Sequence, residues 1–71
     1  MNEYRTPEQF TEIVEDCFNG NWSHAAANCV EFGFYAQDLI NSQENAIDNG
    51  DEHFEDEKDI ALIVEMAAKL R

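Results

Sequence analysis

Basic residues are scarce in this chain: Arg5, Lys58, Lys69 and Arg71 stand against sixteen Asp and Glu, giving a formal net charge of -12 over 71 residues. Affinity for phosphate backbones comes mainly from clustered Lys and Arg that release counterions, so direct binding to DNA or RNA is not expected, and anionic membrane surfaces are disfavoured with it. No apolar run approaches the roughly 18 residues of a membrane-spanning helix. The N-terminal Met1-Asn2-Glu3-Tyr4-Arg5 lacks the basic-then-apolar order of a secretion signal, and a cytoplasmic location is expected. Glycine occurs only at three isolated positions, Gly20, Gly33 and Gly50, so no phosphate-cradling glycine loop exists. The two cysteines, Cys17 and Cys29, form no CxxC pair and read as reduced core residues in preference to a disulfide.

What is present argues for a folded chain. The apolar fraction is 44% and eight residues are aromatic, too hydrophobic for the class that high charge keeps disordered. A chain this short removes only about 60% of its unfolded surface from water on folding. One domain of modest stability over residues 1–71 is expected, destabilised by self-repulsion that salt relieves.

Helical signals dominate. In Thr6-Pro7-Glu8-Gln9, Thr6 can cap, Pro7 suits the first helical position and Gln9 completes a capping box, predicting a helix from Pro7 to about Phe18. At about 100° per residue from Glu8, Phe10, Ile13, Val14, Cys17 and Phe18 lie at roughly 140° to 280°, whereas Glu8, Glu12, Glu15 and Asp16 lie at about -20° to 80°. Asn19-Gly20-Asn21 is a stop followed by a restart, with Asn21 or Ser23 as the next cap. The second helix runs from about Trp22 to Phe32, closed by Gly33, with Ala25, Ala26 and Ala27 permitting close approach. The short connection predicts an antiparallel helical hairpin. From Phe34, Tyr35, Ala36, Leu39, Ile40, Gln43 and Ala46/Ile47 keep helical spacing, so a third helix extends to Asp48 or stops near Asn41-Ser42. Asn49-Gly50 is a turn, and a fourth helix starts between Asp51 and Asp56 and reaches the C-terminus. No segment alternates polar and apolar residues over five or more positions as strands do. The fold class expected is all-α, a compact three- or four-helix bundle beginning with that hairpin.

Chemistry is poorly represented. Cys17, His24 and Cys29 lie seven and five residues apart, unlike compact zinc-ligand pairs. Placing Gly50 at the sixth position of a calcium loop puts Asn45 first and Ile47 third, and Ile47 cannot coordinate calcium. His24 and His53 sit beside no nucleophile motif, and Ser23, adjacent to His24 on a helix, points elsewhere. Neither a metal, a cofactor nor an enzymatic reaction is expected.

The remaining signal is the acids. Eight of the sixteen residues from Glu44 to Asp59 are Asp or Glu, namely Glu44, Asp48, Asp51, Glu52, Glu55, Asp56, Glu57 and Asp59, offset by Lys58 alone. Part of this charge is an ordinary solvated face and a dipole-matched start of the fourth helix, whose other end carries Lys69 and Arg71. The excess suits a partner-binding surface. Carboxylates at three- and four-residue helical spacing stand roughly 5 to 6 Å apart, close enough to approximate a row of nucleic-acid phosphates. Glu8, Glu12, Glu15 and Asp16 offer a secondary acidic face. In charge density, size and lack of catalytic signals, the chain resembles the DNA-mimic inhibitors that phages and mobile elements use against restriction, CRISPR or repair enzymes. That resemblance implies a basic protein surface as partner, that of a nucleic-acid-handling protein, and inhibition by occupancy. The alternative expectation is a non-enzymatic helical adaptor or subunit that binds a partner, or a second copy of itself as a homodimer, through an apolar groove with Trp22, Phe34, Tyr35 and Phe54 as candidate anchors.

Overall fold

Thr6 opens the first helix with the expected reciprocal pair: its hydroxyl accepts from the Gln9 N–H at 3.2 Å, and Gln9 Oε1 accepts from the Thr6 N–H at 3.1 Å. The computed structural model describes residues 5–71, and the stretch Met1–Tyr4, read above for targeting signals, lies outside the described residues. Four helices follow, α1 Pro7–Phe18, α2 Trp22–Phe32, α3 Ala36–Asn49 and α4 Glu57–Leu70, with no strand among the described residues. The protein is all-helical.

The first three helices stop in the same manner. In each, a backbone N–H reaches back five residues: Asn21 to Asp16 O, Phe34 to Cys29 O and Asp51 to Ala46 O, all at 2.8 Å, with the intervening glycine at positive φ. This is the hydrogen-bond pattern of a Schellman turn, which satisfies carbonyls that the helix leaves open.

Three boundaries depart from expectation. Asn21 occupies the cap position of α2, but its φ/ψ of -92°/56° is not extended and its side chain caps nothing. Ser23 lies exposed inside the helix, so neither candidate cap acts as one. Helix α3 is continuous through Asn41-Ser42 and begins at Ala36. Phe34 and Tyr35 belong to the junction before it. Helix α4 begins later than expected, at Glu57, because Asp56 serves as its cap: its backbone is extended and its carboxylate accepts from the Lys58 N–H at 2.9 Å.

Helix α2 packs on α1 and α4, and α3 packs on the same two helices. The core between them holds Ile13, Val14, Ala25, Cys29, Leu39 and Ile63, together with three phenylalanines. Phe10 comes from α1, while Phe34 and Phe54 come from the connections. The Phe10 ring lies 6.3 Å from that of Phe34 and 5.8 Å, edge-on, from that of Phe54, within the favourable range for aromatic pairs. Cys17 and Cys29 are free and buried. The Cα radius of gyration, 10.8 Å, matches the roughly 11 Å of a folded chain of this length.

Two of the four basic residues fasten the junction between α2 and α3. Arg5, whose φ is +58°, donates to Gly33 O at 3.4 Å, and its Nε stands 3.5 Å from Asp38 Oδ1. Asp38 also accepts from the Tyr35 N–H at 2.9 Å. From the other end of the chain, Arg71 lays its guanidinium 3.9 Å from the centre of the Tyr35 ring and donates to Cys29 O at 3.4 Å and to Phe34 O. Arg71 is thus turned back onto the start of α3.

Candidate protein-binding surface

The connection from Gly50 to Asp56 is organised around Phe54. A segment this acidic gains little from burial, yet Phe54 is only 1% exposed, and its ring pins the connection to the core. Its backbone is held by one side chain of α3. The Phe54 N–H donates to Gln43 Oε1 at 2.9 Å, and Gln43 Nε2 donates to Phe54 O at 2.6 Å. His53 Nδ1 lies 2.9 Å from the same carbonyl. A carbonyl only accepts, so that nitrogen carries the hydrogen.

With Phe54 turned inward, the acids around it face water. Seven of the eight predicted site residues, Glu44, Asp48, Asp51, Glu52, Glu55, Asp56 and Glu57, are exposed, and Asp59 is half-buried. Ion pairs among the described residues join Arg5 to Asp38 and Lys69 to Glu65, and the His24 ring contacts Asp16. None of the eight is in one. Their placement is not uniform: Glu44, Glu55 and Glu57 stand on the rim of one groove, Asp51 borders a smaller cleft with Arg5 and Pro7, Asp56 caps α4, and Asp59 lies close enough to Cys17 to influence that thiol.

The groove lies between α3 and α4 and measures about 560 Å³. Its walls are aliphatic. Ile40 and Ile47 of α3 are 41% and 52% exposed, facing Ala61 and Val64 of α4 over a floor that includes Phe54 and Ile60. At about 100° per residue, α3 carries two apolar stripes about 100° apart, Leu39 with Ala46 and Ile40 with Ile47. The first is buried and the second lines the groove.

The secondary acidic face is smaller than expected. Glu8, Glu12 and Glu15 are exposed, but Asp16 is committed within the protein. Its Oδ2 lies 2.7 Å from His24 Nδ1 and accepts from buried Asn28 Nδ2 at 3.1 Å. Of the four acids it stands nearest the buried part of the apolar arc, which Phe10, Ile13, Val14 and Cys17 form, and that edge is the one covered by α2.

The candidate chemical groups lie apart. Burial pushes the Cys17 thiol up from 9.0 to about 12, aided by the charges of Cys29, Asp16 and Asp59; burial likewise pushes Cys29 up to about 11 against the opposing charge of Arg71. Both thiols are protonated and unreactive at neutral pH. His24 is on the surface with Asp16 as its partner, and no three His, Cys, Asp or Glu side chains among the described residues form a metal-holding group.

The aromatic anchors are also redistributed. Phe34 and Phe54 are core, Trp22 is packed partly against it, and Tyr35, 64% exposed, lies beneath Arg71. The walls of the groove are built from isoleucine, alanine and valine instead. Ile40, Gln43 and Ile47 enter the sequence reading only as helically spaced residues and not as site residues; the doubled i, i+7 pattern in α3 was the available signal. No helix among the described residues is long and apolar enough to cross a membrane. Family models, curated proteins and solved structures give no match to this chain.

Proposed function

We propose that this protein is a non-enzymatic acidic inhibitor that occupies the basic surface of a nucleic-acid-handling protein and keeps DNA or RNA from it. One observation carries the reading: the acids from Glu44 to Asp59 are almost all exposed, and no basic side chain among the described residues neutralises any of them. Carboxylates left unpaired at this density repel one another, and a cationic partner relieves the repulsion while drawing the two molecules together rapidly at low salt. The acid-bearing stretch starts on α3, crosses the connection and ends in the first turn of α4, so the charges ride on a framework pinned by Phe54. We read the scaffold as one domain, a four-helix bundle that opens with an antiparallel hairpin. Contacts at opposite ends of that hairpin, Arg5 with Gly33 and Asp16 with His24, support this. The setting that suits such an inhibitor is the cytoplasm, in the service of a phage or mobile element against host defence.

The test is capture from the native host by the immobilised protein at low salt, followed by addition of duplex DNA. The captured protein should bind nucleic acid, leave when DNA is added, and be retained poorly by a variant carrying Asp48→Asn, Asp51→Asn, Glu52→Gln, Glu55→Gln and Glu57→Gln. Retention indifferent to both DNA and neutralisation would remove the mimicry reading.

The adaptor reading keeps one observation in its favour, the open groove between α3 and α4. Its open walls are aliphatic, and of the four expected aromatic anchors only Phe54 lines it, as part of the floor.

A further inference from the structure

We infer that the groove between α3 and α4 receives an amphipathic basic helix of the partner protein, with an apolar stripe seated between the two helices and Lys or Arg on its flanks. This rests on the reading of the chain as a binder of basic proteins and specifies which element of the partner is held.

Length, lining and rim each constrain the occupant. On α3 the groove extends from Ala36 to Ile47, a span of eleven residue steps that rises about 16 Å, the length of a three-turn helix. Both walls carry apolar side chains, and Ile40 and Ile47 lie half-open to water although their α3 neighbours Leu39 and Ala46 are buried. Apolar anchors at i, i+3/i+4 and i+7 of a helix fit such a channel. The rim then selects the charge of the occupant. Glu44 stands on the α3 side and Glu55 and Glu57 on the α4 side; all three are unpaired among the described residues, and no Lys or Arg lines the groove. An apolar helix with acidic flanks would bring like charges together on both sides. A second copy of this chain is disfavoured for the same reason, because a two-fold interface through this face sets each rim against its own kind, between molecules of net charge -12.

Three fluorescein-labelled peptides of about 14 residues test this by fluorescence polarisation, at low and high salt. The first has Leu at three- and four-residue helical spacing and Lys elsewhere; the second has the same composition with Leu dispersed around the helix; the third keeps the Leu stripe and replaces Lys by Glu. The first should bind at least about tenfold more tightly than the second, and the third not at all. The double variant Ile40→Ala/Ile47→Ala should lose about tenfold for the first peptide only. Ala61→Trp, which fills the groove from an exposed α4 position and removes no core contact, should do the same.

Equal binding of the first and second peptides overturns the inference while leaving the acidic-surface reading intact. Failure of both to bind at low salt overturns the two together. A dimer in sedimentation velocity that Ala61→Trp dissociates would show that a second copy fills the groove and overturns the inference as well. Circular dichroism melts identify any variant that has lost its fold, in which case the remaining one decides.

Discussion

At the connection between α3 and α4, the carboxamide of Gln43 meets both backbone polar groups of Phe54, a donor with no other partner among the described residues and an acceptor it shares with His53. Only a side chain carrying both functions can serve the two. Removing such a pair costs about 2 kcal/mol, so Gln43→Ala should lower the melting temperature by roughly 10 °C in a domain of this size. Gln43→Glu should give no rescue, because a carboxylate accepts from the Phe54 N–H but repels the Phe54 carbonyl. The buried thiols make a second residue-scale prediction. Their folded pKa values, about 12 for Cys17 and about 11 for Cys29, exceed the ordinary 9.0, so the unfolded state releases these protons first as pH rises. Their contribution to stability is complete below pH 9 and is lost as pH rises from there through the folded values. Urea midpoints should therefore fall between pH 9 and 11, and fall less in Cys17→Ala/Cys29→Ala. Single residues were also where sequence reasoning was least sure. Asp16 carries the same charge as Glu12, and its position near the apolar arc of α1 did not reveal that His24 and Asn28 would meet it across the helix interface.

The start of α1 and the glycine-marked helix ends were more legible than the starts of α2, α3 and α4, because their signals are local. Thr6 and Gln9 meet within one turn, and each of Gly20, Gly33 and Gly50 ends a helix where its sequence position suggests. The groove was not legible for the converse reason. Which stripe of α3 is buried depends on where α1 and α4 stand, and periodicity within α3 holds no information about them. At Gly50 the element-scale consequence can be isolated. The residue has φ +73°, with open space around the position a Cβ would take, so Gly50→Ala meets no clash and bears only the left-handed backbone penalty of about 1 kcal/mol. A melting temperature lower by roughly 4 to 8 °C is expected. Gly50→Asn should lose less, since Asn tolerates that conformation better. A loss in Gly50→Ala far beyond this range would mean that the end of α3 and the Phe54 connection unfold as one unit.

On the scale of the whole molecule, the net charge of -12 acts across a body whose radius of gyration is 10.8 Å. At about 0.01 M salt the screening length is roughly 30 Å, so every carboxylate feels the others; at about 1 M it is roughly 3 Å and the repulsion is confined to close neighbours. The melting temperature should rise steadily with NaCl over that range, and the variant neutralised at Asp48, Asp51, Glu52, Glu55 and Glu57 should rise less. A flat response in the parent protein would show that the acids lie too far apart to oppose folding. The same molecule would meet opposite demands from salt, since screening that steadies the fold also weakens attraction to the proposed basic partner. The Phe54 connection bears on how such a protein changes over generations. Its hold on the fold rests on one ring, one glutamine and the Asp56 cap, which leaves Asp51, Glu52 and Glu55 without structural duties. Those side chains can be exchanged without breaking a hydrogen bond of the fold, so under the proposed inhibitory role a lineage could retune the loop for a new target while inheriting the bundle unaltered.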